Sequence, residues 1–167
     1  RRETKSFDAA LKDFEKSIKI NPDFAEGYYN KSLNLLSVGN LEEGFKLFEH
    51  RWRTAHFKSH CRHFSKPLWL GDDDLTGRTI LIHSEQGLGD SIQFCRYIKF
   101  FEELECQVLL EIEKPLISLM QSLLPRECIF EKGSSLPKFE FHCPLMSLPH
   151  AFGTSLNNMP FSGAYFS

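Results

Sequence analysis

The chain has 167 residues, with 20 basic against 22 acidic side chains and a net charge of −2. At 41% hydrophobic it can bury a core as one domain or two small ones, which excludes disorder as the main state. The charge balance excludes a general attraction to nucleic acid or anionic lipid. The chain opens on Arg1 rather than Met and reads as a piece of something longer. No apolar run approaches the ~20 residues of a membrane helix, and Arg1 to Asp13 holds no signal-peptide core. Cys61, Cys95, Cys106, Cys128 and Cys143 are odd in number and lack a C-x-x-C pair, which predicts reduced thiols and a cytoplasmic location.

The first predicted helix carries Phe7, Ala10, Leu11, Phe14 and Ile18 on one stripe. The same stripe returns 34 residues later as Leu41, Gly44, Phe45, Phe48 and Trp52. A second helix lies between them, from about Ala25 to Val38, started after Asn21-Pro22-Asp23 and stopped at Gly39-Asn40. A period of this length is that of tetratricopeptide helix pairs. Ala10, Phe14, Pro22, Tyr28 and Gly39 resemble that family's small, aromatic, proline and turn positions. Gly44 stands where it usually has alanine, and Lys31 where it has an apolar residue. Residues 1–55 are thus expected to hold about one and a half repeats. They would offer a protein or peptide partner a face, or else buttress the domain that follows.

Residues 56–76 are read as a basic connector. The wider stretch from Lys46 to Lys66 carries a net charge of +5, threaded by His50, His56, His60 and His63. Zinc on His56, His60, Cys61 and His63 is disfavoured, because neighbours at 60 and 61 cannot readily share one tetrahedral ion. Nucleic-acid binding lacks any accompanying motif. A solvated linker is the expectation, its cations free to face a phosphate-bearing ligand.

From Gly77 the period changes. Thr79 to His83 is a β-branched apolar run, a candidate buried strand. Ser84 to Gly89 forms a tight loop, and Asp90 is expected to cap a helix carrying Ile92, Phe94, Cys95, Ile98 and Phe101. A strand over Cys106 to Ile112, a helix over Lys114 to Leu124, and short strands at Cys128 to Phe130 and Phe139 to His142 complete an α/β alternation. Such sheets put ligands at the carboxyl ends of their strands. Gly87 and Gly89 permit positive φ and close approach, and Asp90 suits a hydroxyl better than a pyrophosphate. It serves as either a general base or only a helix cap. A dinucleotide fingerprint fails at Ile92, where a small third residue is needed, although Glu111 or Glu113 stands where an acidic residue is wanted.

The stretches Pro67-Leu68-Trp69-Leu70-Gly71, Leu75 to Arg78, His83 to Tyr97 and Cys143 to Thr154 together resemble bacterial tetratricopeptide-containing glycosyltransferase-like proteins of the heptosyltransferase (glycosyltransferase family 9-like) type. That resemblance implies helical repeats followed by the Rossmann-like, acceptor-side half of a GT-B fold over 77–167, with the donor half missing. It implies inverting, metal-independent chemistry, with Asp90 as base and Glu85, Gln86, Gly87, Gly89 and Gln93 around the ligand. The sugar acceptor would bind here, while the sugar-nucleotide would be held by the other half. No cofactor, metal, nucleic-acid partner or membrane span is expected, and the chain alone would not transfer sugar. The alternative from another class is a scaffold whose helical repeats bind protein and whose α/β part is not catalytic.

Overall fold

The computed structural model describes residues 2–160 and 164–166, with side chains from residue 6. The chain divides into two compact units. One gathers the chain up to His63 together with Gly153–Asn158; the other holds Phe64–Phe152 and the chain from Met159. The stretch read as a connector is therefore shared between them.

The first unit is three helices, α1 (Arg2–Ile20), α2 (Ala25–Ser37) and α3 (Leu41–Phe48), closed by 3₁₀ turns at Glu49–Arg53 and Lys58–His60. Of the apolar stripes expected from the sequence, the one on α3 buries Gly44 and Phe48, whereas on α1 Ala10, Leu11, Phe14 and Ile18 are half-buried and Phe7 is exposed. At Gly44 the helices are so close that an added Cβ would lie 2.7 Å from Leu36 Cδ2. Lys31 fills its unusual place by bridging α1 to α3. Its ammonium lies 3.4 Å from Glu15 and 3.1 Å from Glu43. Burial works against that charge, but the two carboxylates outweigh it and raise the Lys31 pKa.

The basic stretch is not simply solvated. Arg51 is fully buried, its guanidinium 4.5 Å from the centre of the Phe48 ring and 4.3 Å from that of Trp52. It donates to Glu49 at 2.7 Å and to the Phe48 carbonyl at 3.2 Å. A cation placed between two aromatic faces and paired with a carboxylate tolerates loss of water. Sequence charge alone overlooked this.

The second unit is α/β. Four parallel strands, β1 (Thr79–His83), β2 (Gln107–Ile112), β3 (Ile129–Glu131) and β4 (Phe141–Pro144), lie in the order β3-β2-β1-β4. The order reverses beside β1, as it does in doubly wound sheets. Ile80, Leu81, Ile82, Leu110 and Ile112 are fully or almost fully buried, as strands covered on both faces must be. The helix after β1 is α4 (Leu88–Phe94), which tightens into 3₁₀ turns over Cys95–Leu104. Two further short helices, α5 (Ile117–Met120) and α6 (Leu148–Ala151), follow in chain order.

Several boundaries differ from expectation. The helix predicted over Lys114 to Leu124 is a 3₁₀ turn at Lys114–Leu116 followed by the single-turn α5. Strand β4 sits two residues later than predicted. Ile80 pairs with Phe141 and Ile82 with Cys143, whereas Glu140 turns its carboxylate to Arg78 and the Thr79 amide. Trp69 is buried, with Phe101 and Phe152 each 5.4 Å away. Gly71 has φ +103° and its α-carbon faces the Ala151 carbonyl so closely that a Cβ would collide with it.

Candidate functional site

The β1–α4 loop lies at the carboxyl end of β1, beside the point where the strand order reverses. Its local geometry follows from capping. Gly87 is the residue before the helix, with an extended backbone (φ −78°, ψ 168°), and its N–H donates to Asp90 Oδ2 over 3.1 Å. Asp90 is therefore not the cap expected from the sequence. It stands at the third helical position and reaches back, supplying the carboxylate half of a capping box. A helix that starts at Leu88 rather than Asp90 explains the difference.

The glycines also differ from expectation. Neither Gly87 nor Gly89 has a positive φ. A Cβ on Gly89 would meet nothing within 4 Å, and one on Gly87 would make an ordinary contact with Asp90 at 3.4 Å. The backbone does not require glycine at either place.

Glu85 and Gln86 are half-buried, the Gln86 amide donating to Glu85 Oε1 at 3.3 Å. Gln93 is exposed one turn beyond Asp90, its carbonyl accepting from Arg96 at 2.9 Å. Loop and first turn thus gather Glu85, Gln86, Gly87, Gly89 and Asp90 in one short stretch, with Gln93 at its margin.

What holds this loop was not foreseen. Glu113, just past β2, accepts from the Ser84 hydroxyl at 2.9 Å, from Lys132 at 3.0 Å and from the Ser91 hydroxyl at 3.3 Å. Burial opposes ionisation of Glu113, but the bonds from Lys132, its own backbone amide and Ser84 prevail and hold its carboxyl below the usual range. Glu111 is fully buried and accepts the Gly133 amide at 3.0 Å. Both acids that the sequence offered to a ribose are engaged with loops. Their signal was present in the E-I-E run at the end of β2, but its partners lie far along the chain.

A second grouping missed by sequence reasoning lies between β1 and β4. His83 and His142 are buried, with Nε2 of one 3.3 Å from Nδ1 of the other. The Phe64 ring packs against both, at 5.2 and 4.7 Å. Among the described residues no three or more His, Cys, Asp or Glu side chains are placed to hold a metal ion. No helix there is long and apolar enough to cross a membrane.

Fold and site together define an α/β protein with a parallel sheet and a strand–loop–helix turn at the carboxyl end of β1, preceded by packed helices. The chain is 30% identical over 127 residues to Protein FlbA of Caulobacter vibrioides, a match covering 71% of this chain and 21% of that protein. It thus spans about a fifth of that relative's length. No family model matches the chain, and no solved structure matches it.

These findings correct the family expectation. The likeness found is to a stretch of FlbA, and nothing found places the chain among tetratricopeptide glycosyltransferase-like proteins. The residues that suggested that family have local physical roles. The E-Q-G-L-G-D segment closes a helix cap, Trp69 and Gly71 fill tight packing positions, and Leu145, Ser147 and Leu148 are core.

Proposed function

We propose that the α/β unit holds a hydroxyl-bearing acceptor, such as a sugar, at the β1–α4 loop for group transfer from an activated donor: Asp90 takes the hydroxyl proton as the acceptor oxygen bonds to the transferred group, and the donor's leaving group departs with the electron pair of the bond that breaks. The supporting observation is how Asp90 divides its two oxygens. Oδ2 caps the Gly87 amide, and Oδ1 accepts no hydrogen bond among the described residues. A carboxylate held by one oxygen is oriented, and its second oxygen can accept a proton. General-base chemistry of this kind uses no metal or cofactor. Free thiols at all five cysteines suit a reducing, cytoplasmic setting.

The test is a heteronuclear NMR titration of the chain with a panel of monosaccharides and disaccharides. Saturable shifts at the amides of residues 85–93 are expected. Shifts confined to other regions, or none, overturn the reading. Asp90→Asn keeps an oxygen for the Gly87 amide, so the loop stays folded. Where transfer is measured, that change is expected to cut turnover by about 10²–10⁴-fold. Unchanged turnover leaves Asp90 as a cap alone.

A second reading concerns the helices, taken as repeat units of the 34-residue period. Phe7, Ala10, Phe14 and Leu33 line a groove of about 370 Å³ between α1 and α2, with Leu33 42% exposed. An apolar groove of this kind suits a partner peptide. Wild-type chain and a Leu33→Lys variant, used as bait, are expected to differ in what they retain. Equal retention removes this reading.

A further inference from the structure

At the amino ends of β1 and β4, opposite the loop discussed above, three chain segments border an open cavity of about 660 Å³. Its walls are Ser65, Lys66, Thr79, Lys138, Phe139 and Glu140. That volume lies within the range of small-molecule sites. Four rises of β1 separate its two ends, roughly 13 Å, so this cavity and the β1–α4 loop are separate places in the unit.

The charges in the cavity do not cancel. Glu140 is already engaged, Oε1 accepting from Arg78 at 2.8 Å and Oε2 from the Thr79 amide at 2.9 Å. Lys66 and Lys138 are different. Neither forms a hydrogen bond or a close ion pair with any described residue, and the Lys66 charge reaches Glu140 only as one of the weaker influences that lower its pKa. With Arg78 and its neighbour Asp74 counted alongside Glu140, they leave the opening one positive charge in excess. Phe139 adds an apolar surface, half-buried and fixed edge-on by Phe64 at 5.5 Å and 87°. A ring held in place is a platform on which a planar group can stack.

We propose that this cavity binds a small organic phosphate with a planar ring, of mononucleotide size: Lys66 and Lys138 take the phosphate, and the Phe139 ring takes the planar group. Two ammonium groups without a hydrogen-bonded acceptor favour a dianion over a neutral ligand, and ammonium binds phosphate oxygens without fixed geometry. The Ser65 hydroxyl supplies a further donor at the rim. Because both lysines are exposed, affinity is modest and depends on salt.

Adenosine monophosphate is the probe, titrated against the whole chain and followed by amide shifts. Saturable shifts are expected at Thr79, Phe139 and Glu140, shrinking as salt rises. Adenosine and inorganic phosphate should each bind less well than the monophosphate. Lys66→Gln and Lys138→Gln should each weaken binding by about threefold to tenfold. Both positions are exposed, so the variants keep the fold, and unchanged shifts elsewhere verify that. Absent shifts at millimolar probe, shifts located elsewhere, or binding by both variants as tight as the parent's overturn the proposal. Inorganic phosphate binding as tightly as the monophosphate overturns the role of Phe139. Shifts at residues 85–93 alone count against this site whatever they say of the β1–α4 loop.

Discussion

The Ser84 hydroxyl donates to Glu113 Oε1 across 2.9 Å, joining the residue after β1 to the residue after β2. Lys132 shares that oxygen, and Ser91 reaches the other. One carboxylate thereby ties the β1–α4 loop to two neighbouring segments. Glu113→Ala should cost about 1–3 kcal/mol in chemical denaturation, since several donors lose their acceptor at once. Ser84→Ala should cost about 1 kcal/mol. A Glu113→Ala variant as stable as the parent would mean the latch contributes nothing.

The same residue sets an acid limit. Its folded pKa lies below the ordinary 4.5, so it contributes stability above that pH and loses it as pH falls through the folded value. Between about pH 5 and pH 3 the parent should therefore lose more stability than Glu113→Gln does. Parallel pH slopes for the two proteins would rule this out.

His50 responds in the same direction of pH for the opposite reason. It is stacked on Tyr28 at 4.2 Å and 9°, where burial, aided by Arg53, lowers its pKa from 6.5. The unfolded chain then takes up a proton more readily than the folded one, so stability drops as pH falls below 6.5. His50→Phe keeps a ring against Tyr28 and should flatten the dependence between about pH 7 and pH 5.5. Denaturation midpoints at several pH values check it.

Three Gly→Ala changes should separate by sign. Gly89→Ala meets open space in a helical conformation and should stabilise by about 0.4–1 kcal/mol. Gly44→Ala presses on Leu36 and should destabilise by about 1–3 kcal/mol. Gly71→Ala faces both a positive φ and the Ala151 carbonyl, and should be the most damaging. Thermal melting of the three variants gives the ranking, and a stabilising Gly71→Ala would contradict the packing described.

Thiol reactivity offers a fifth test. Cys95 is fully buried, and desolvation pushes its pKa up to about 12; Cys143 is also fully buried. Neither should react with maleimide in the native state, whereas the partly exposed Cys61 should. Mass spectrometry of briefly labelled protein resolves the sites. Rapid native labelling of Cys95 would contradict its burial.

Local patterns carried the secondary structure. The spacing of Phe7, Ala10, Phe14 and Ile18 marks α1, and the run from Thr79 to His83 marks β1, because periodicity records which face is buried. Strand β4 slipped by two residues because register depends on its pairing with β1 rather than on its own composition. The site was legible only along its own loop, where Gly87 and Asp90 are three residues apart. Glu113 with Lys132, and His83 with His142, are set by crossovers of 19 and 59 residues that no local pattern reports. Arg51 misled for a related reason: a cation reads as surface until its aromatic neighbours fold around it.

The return of Gly153–Asn158 to the first unit has a consequence for how this molecule can be taken apart. Gly39 ends α2 at φ +84°, and its closest outside neighbour is the side chain of Leu156, more than a hundred residues later. A single cut after His63 would separate the helices from that segment, so the helical half would lack part of its own unit. Recombination that exchanges the helices must also carry six residues from the far end of the chain.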